Sequence, residues 1–332
     1  MASTTYDQDT ELHAKAIRIA RSPEVGIGDE LIEAARTSAT DVPVISTGPT
    51  GRPGLEPLVL CTIGDQTVLY PDPDVDDVPE LVESLEAGEL PTAGASEVLT
   101  NEQDGTGPPP SPMAASGVET RRVLGSCGWV DPTDTTEHEF LADDVAAERI
   151  ADIGLLGRGR GDAATDAPVD EQWTTARDAA GESVVVVNAN EADERARADA
   201  LLLASVPFTV LDAATTVADH VEATEVIVYV NESDEWLHEH LHRVIEAGRE
   251  YFDLVPTVVS GPDTFRAGEP TMALEALEGA DRIEARRGPP GPAVHGLYGR
   301  PTVLHTPRTF AHVYQALANP GTFDETDPDP GT

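Results

Sequence analysis

The chain has 332 residues, with 61 acidic against 21 basic side chains, a formal net charge of −40 and Lys15 as its only lysine. So few cations leave no basic stripe to displace counterions from nucleic acid, which excludes that class of partner, and no apolar run reaches the length of a membrane span, which excludes direct membrane insertion. The acidity instead suits a cytoplasm of molar salt, where the screening length falls to about 3 Å and self-repulsion fades; we expect a halophilic protein whose fold loosens in dilute buffer.

The first residues, MASTTYDQDTELHAK, hold no hydrophobic segment of the kind a signal peptide needs, so a cytoplasmic location is expected. Ile27, Leu31, Ile32 and Ala35 recur at helical spacing and predict an amphipathic helix over Ile27 to Ser38. Short β-branched runs at Val42 to Thr47, Leu58 to Thr62 and Thr67 to Tyr70 predict strands. A second helix near Asp76 to Glu89 puts Val78, Leu81, Val82 and Leu85 on one face. Strand, strand, strand and helix in this order look like the second half of a thioredoxin-like fold.

The link TGPTGRPGLEPLV, Thr47 to Val59, is similar to the loop by which thioredoxin-like two-iron ferredoxin modules supply their last two cluster cysteines. Pro49 and Pro53 stand where that pattern has cysteine, and proline offers no thiolate. A chance glycine and proline turn is the competing reading. Cys61 and Cys127 are the only cysteines, too few for a four-thiolate iron–sulfur cluster, and each reads as a core thiol. We therefore expect no iron–sulfur cluster in these residues.

From about Thr92 to Gly117 the composition shifts to Pro, Gly, Ser and Thr, which predicts a linker between two domains. Beyond it, strand and helix signals alternate. Val184 to Val187 is a continuous apolar run that suits a central parallel strand, followed by a helix at Phe208 to Val221, a buried strand at Val226 to Val230 and a long amphipathic helix at Asp234 to Phe252. This alternation predicts an α/β layer structure with a mostly parallel sheet, whose ligands sit at the carboxyl ends of the strands.

Five segments then carry a resemblance in their order: RRVLGSCGWVDP at Arg121 to Pro132, GLLGRGRG at Gly154 to Gly161, VVVVNANE at Val184 to Glu191, AGEPTMALEALEG at Ala267 to Gly279, and GPPGPAVHGLYGRPT at Gly288 to Thr302. Together they resemble the NADH-binding flavoprotein subunit of respiratory complex I and of its soluble relatives, the NAD-linked hydrogenases and formate dehydrogenases. The resemblance implies a degenerate thioredoxin-like module over residues 1–91, the linker at 92–117, an FMN- and NADH-binding-type domain over 118–318 and an acidic tail at 319–332. It further implies hydride transfer from NADH to FMN, and other subunits of an NADH-linked redox complex as partners.

The same resemblance assigns site residues. Gly157, Arg158 and Gly159 match the start of the family's glycine-rich phosphate loop, where missing Cβ atoms let main-chain N–H groups approach an anion. Gln172 stands at the position of a family lysine, and Ala167 at that of an aromatic residue. Asn188 and Glu191 match residues that hydrogen-bond the flavin ring; Asn190 replaces an aspartate and Asp193 a second glutamate. Gly268 and Glu269 match the start of a Gly-Glu-Glu-Thr turn, whose second glutamate is Pro270, a residue welcome at a first helical position. His305 and Thr306 occupy the place of paired asparagines that contact the flavin phosphate.

Plain glycine turns and solvated strand ends compete with these assignments. No residue is assigned an acid, base or nucleophile role, because hydride transfer needs stacking and orientation rather than proton transfer from the protein. With five family positions altered at once, at Ala167, Gln172, Pro270, His305 and Thr306, a non-catalytic scaffold, assembly or nucleotide-binding paralogue is the alternative. His238, Glu239 and His242 spell HExxH, a zinc-peptidase pattern. The apolar stripe runs through Leu237, Leu241, Val244 and Ile245 and leaves those histidines on the helix shoulder, so no metal site is expected.

Overall fold

The computed structural model describes residues 15–21, 27–100, 123–142, 147–157, 167–191, 197–286 and 288–319, and its contacts divide the chain into two compact units, one before and one after the Pro132–Thr133 junction. The first unit contains β1 (Lys15–Ala20), α1 (Ile27–Ser38), β2 (Val44–Thr47), β3 (Leu58–Ile63), β4 (Gln66–Pro71), α2 (Val78–Glu86) and β5 (Glu97–Thr100). Its strands form one mixed sheet in the order β2-β1-β3-β4-β5, with β1 parallel to β2 and the remaining pairs antiparallel. This is the thioredoxin-like module expected from the sequence.

The helix expected at Ile27 to Ser38 forms over those residues, with Asp29 and Glu30 at its positive end and Arg36 at its negative end. Leu31, Ile32 and Ala35 of α1 and Val78, Leu81, Val82 and Leu85 of α2 bury against Ile17, Ile19, Val59, Cys61 and Val68 of the sheet. The β3–β4 hairpin closes through Gly64 and Asp65, with Gly64 at φ +60 supplying the left-handed conformation that so tight a link needs. The stretch expected to be a linker begins at Thr92; its residues 97–100 pair with β4 as β5, and residues 101–117 lie outside the described residues.

The sequence reading missed β1 because of Arg18. Odd positions Ile17 and Ile19 face the helices, while Arg18 points to the other face and is only 1% exposed. Its guanidinium lies 3.9 Å from the centre of the Trp129 ring, and its Nε donates to the Trp129 carbonyl at 3.1 Å. Trp129 also packs on Ala20, Leu58, Leu60 and Leu69, so residues around it cover the second face of this sheet. The loop after β2 is organised by a carboxylate: Glu56 accepts from the amides of Thr50 and Gly51 and from the Thr50 hydroxyl. Cys61 and Cys127 are both buried, and burial pushes the Cys61 thiol up to about 12.

The second unit contains α3 (Ala147–Ile153), β6 (Leu156–Gly157), β7 (Ala167–Pro168), α4 (Val169–Asp178), β8 (Ser183–Ala189), α5 (Ala198–Ser205), α6 (Pro207–His220), β9 (Ala223–Asn231), α7 (Glu235–Ala247), β10 (Thr257–Gly261), α8 (Pro270–Leu277), α9 (Pro292–His295), β11 (Thr302–His305) and α10 (Pro307–Ala318). Its main sheet runs β10-β9-β8-β11, with every pair parallel, as expected from the alternating pattern. Strand β8 is buried along its whole length, which is why its sequence is a continuous rather than an alternating apolar run. Val184 and Val186 face α8 and Leu297, whereas helices α6 and α10 cover the opposite face of β8. At the amino-terminal edge, Arg300 ties three strands together by donating to the Glu182 carbonyl, Thr224 Oγ1 and Glu225 Oε2.

Two elements differ from expectation. The long helix expected to reach Phe252 stops at Ala247 and is followed by Gly248, where a Cβ would sit 2.5 Å from the Phe208 ring, and by a 3-10 turn at Arg249–Tyr251. Ahead of α6, an unforeseen short helix, α5, is cut off by Val206 and by Pro207, which starts α6 at its first position. The α5–α6 pair bends by 96°, and among the described residues no single helix is long and apolar enough to cross a membrane.

If Arg18 anchors the second face of the first sheet, Arg18→Ala loses a buried charge-assisted hydrogen bond and the ring contact together. The expected cost is about 2 kcal/mol or more of unfolding free energy in denaturant titration. An unchanged midpoint would show that the Trp129 segment holds itself.

Candidate functional site

All four strands of the second unit's sheet point the same way, so their carboxyl ends form one edge where polar residues replace valines. Strand β11 ends at His305 and Thr306, β8 at Asn188, Ala189 and Asn190, β9 at Asn231 and β10 at Gly261. This is the edge at which open α/β sheets receive ligands. Gly157 joins it from β6, which pairs with β7: a Cβ on Gly157 would lie 2.9 Å from His305 Nδ1 and 3.2 Å from Val169 Cγ1. Gly268 joins it from the other side, because Asn188 Nδ2 donates to its carbonyl at 2.8 Å. Of the residues singled out in the sequence, Gly157, Asn188, Glu191, Gly268, Glu269, His305 and Thr306 thus belong to strand ends or to segments joined to them. Arg158, Gly159 and Asp193 lie outside the described residues.

Several oxygens expected to meet a ligand are engaged in capping helices. Glu191 Oε2 accepts from the amides of Asp199 (3.1 Å) and Ala200 (3.2 Å) at the start of α5. Glu269 Oε2 accepts from Met272 N at 2.8 Å and Thr271 Oγ1 at 2.7 Å, capping α8, whose first residue is Pro270 as expected. Thr306 Oγ1 accepts from Thr309 N at 3.4 Å at the start of α10, and Asp199 Oδ1 takes the preceding amide, Arg308 N, at 3.0 Å. Helix amino termini lie at this edge, and side chains of the chain itself accept from some of their amides.

His305 is buried under Gly157 with its ring edge-on to Trp173 and Phe310. Its Nε2 accepts from Trp173 Nε1 at 3.0 Å, and burial pushes the imidazole down to about 4. The sequence reading did not single out Trp173 as a site residue.

Two further groups lie here, of which the sequence reading named Asn190 as a replaced family position and missed Tyr229. Asn190 is 1% exposed; its Nδ2 donates to the Pro262 carbonyl at 3.2 Å, which leaves Oδ1 buried with no partner among the described residues. Nearby, the Tyr229 hydroxyl is buried and likewise without a hydrogen-bond partner among the described residues. Burial pushes Tyr229 up to about 12, an effect that Asn190 partly offsets without closing a hydrogen bond. Gly261 makes room for this phenol, since any Cβ there would overlap the Tyr229 ring edge and hydroxyl. The signal in the sequence was faint: one tyrosine inside the apolar run VIVYV.

The HExxH segment lies on α7. The His238 and His242 rings pack 4.7 Å apart, Glu239 is exposed, and no group of three or more potential metal ligands gathers among the described residues.

The family described as the Nuo51 FMN-binding domain, Complex1_51K, matches residues 150–315, half of the chain. The chain belongs to this family. An NADH-quinone oxidoreductase subunit of Mycobacterium tuberculosis (strain ATCC 25618 / H37Rv) is 32% identical over 178 residues, covering 49% of this chain and 39% of the relative. The NADP-reducing hydrogenase subunit HndC of Solidesulfovibrio fructosivorans is 26% identical over 230 residues, covering 62% of this chain and 46% of the relative. The alpha subunit of the NAD-reducing hydrogenase HoxS of Cupriavidus necator is 26% identical over 219 residues, covering 62% and 36%. The chain therefore spans less than half the length of these relatives. A crystal structure of NAD+-reducing NiFe-hydrogenase in its air-oxidised state shares the fold, with a TM-score of 0.50 and 19% identity over 92% of this chain and 53% of the other.

The capping role of Glu269 is separable from any ligand contact. Glu269→Ala is expected to cost about 1 kcal/mol of stability in the absence of any nucleotide, read from urea unfolding. Unaltered stability would mean that this carboxylate is held in reserve for a ligand.

Proposed function

We propose that the chain is an FMN-dependent NADH:acceptor oxidoreductase of the flavoprotein-subunit type, working with other redox subunits in a cytoplasm of molar salt. The observation that carries this reading is the pair of buried, unpartnered polar groups, Asn190 Oδ1 and Tyr229 Oη, at the carboxyl ends of a parallel sheet within a family FMN-binding domain. Leaving such groups unsatisfied costs about 1–3 kcal/mol each, a cost that a ligand with complementary polar edges removes.

The residues fit such a group. The segment beginning at Gly157 would take the flavin phosphate, with Arg158 and Gly159 following it in sequence. Asn188 holds the turn at Gly268 against the end of β8. The Pro262 carbonyl takes the Asn190 amide nitrogen and leaves its buried oxygen as an unused acceptor, and Tyr229 offers a hydroxyl that stays protonated far above neutral pH. The flavin, when bound, supplies hydride acceptance from NADH, and the protein's part is to bind, orient and exclude water. With only Cys61 and Cys127, both buried, these residues offer no four-thiolate iron–sulfur site, so the electrons pass to a partner protein or a small acceptor.

The test is a visible spectrum of protein purified in molar potassium chloride, before and after addition of FMN, followed by NADH with ferricyanide. Uptake of FMN and NADH-dependent ferricyanide reduction are expected. A colourless protein that takes up no added FMN would replace this reading by that of a scaffold which has lost the cofactor.

A further inference from the structure

Glycine at position 157 has two separate physical explanations. One is approach to a phosphate, for which a Cβ would be in the way. The other lies beneath it: the added Cβ would meet His305 Nδ1 at 2.9 Å and Cε1 at 3.0 Å, both tighter than ordinary contact, and these belong to a rigid ring. That ring has little freedom to yield. It is 3% exposed, edge-on to Phe310 at 5.6 Å, and its Nε2 is engaged by the Trp173 indole at 3.0 Å.

Indole nitrogen can only donate, so the bond from Trp173 settles the tautomer: His305 Nε2 is the acceptor and the proton sits on Nδ1, the atom that faces Gly157. We propose that Trp173 and His305 form a positioning pair, in which the indole locks the imidazole as a neutral floor that sets the height of Gly157. The burial that pushes His305 down to about 4 keeps this floor uncharged across the neutral range. His305 is thus a positioning residue, and the glycine at 157 is demanded by the ring below it as well as by any ligand above. The functional consequence, though not the pair itself, rests on the FMN reading.

Long-range proton–nitrogen NMR of the wild-type apoprotein, with His305 assigned by comparison with His305→Gln, should show a protonated Nδ1, a bare Nε2 and no titration above about pH 5. A protonated Nε2, or a titration near the ordinary histidine value, would overturn the proposal. A stability cycle of Gly157→Ala, His305→Ala and the double variant, again without cofactor, should show strong coupling, the alanine at 157 being far better tolerated once the ring is gone. Additive losses would also overturn it. In FMN titrations Trp173→Phe, which keeps the ring volume but removes the donor, should weaken uptake by about tenfold, and unchanged uptake would count against the pair. If wild-type protein takes up no FMN, the cofactor reading fails while the tautomer and the coupling still decide the pair.

Discussion

A parallel strand covered on both faces can be polar only at its ends, and β8 is such a strand, buried from Ser183 to Ala189. Everything that gives this chain chemical character follows from where β8 and its neighbours stop. At the amino-terminal edge, Arg300 closes the strand ends with hydrogen bonds. At the carboxyl edge the polar groups are not all closed. Hydrophobic burial builds the sheet, and the residue of polarity at one end of it defines the site.

Helix amino termini crowd that edge, and each exposes amides that must find acceptors. Here Glu191, Asp199, Glu269 and Thr306 supply them. An acidic chain has carboxylates to spare for this purpose, and each one committed to a cap removes a negative charge from direct competition with an anionic ligand. What remains at this edge among the described residues is Gly157 and the unpartnered groups of Asn190 and Tyr229. The candidate site proposed above is thereby narrower than the full set of family positions implies, and it includes Tyr229 from outside that set.

The sequence made the layers legible because burial leaves a pattern. The α1 boundaries follow from apolar spacing, β8 from an unbroken apolar run, and the start of α8 from Pro270. Strand β1 was hidden by Arg18, a charge whose burial depends on Trp129, 111 residues away. At the carboxyl edge, Gly157, Asn188 and Gly268 were singled out by the order of their motifs along the chain. The caps made by Glu191 and Glu269 were not, since a carboxylate's partner depends on where a neighbouring helix begins. Tyr229 was invisible for the opposite reason: inside VIVYV its phenol reads as core, and only Gly261 on the adjacent strand makes room for its hydroxyl.

The central claim is that the buried polar groups at the carboxyl edge exist for a ligand rather than for the fold, and Tyr229→Phe tests it most directly because it removes one unpartnered hydroxyl and nothing else. Urea unfolding of the apoprotein and FMN titration of the same variant should diverge: stability equal to wild type or higher by about 1 kcal/mol, with clearly weaker FMN uptake. Lower apoprotein stability with undiminished FMN uptake would contradict the account and return Tyr229 to the core.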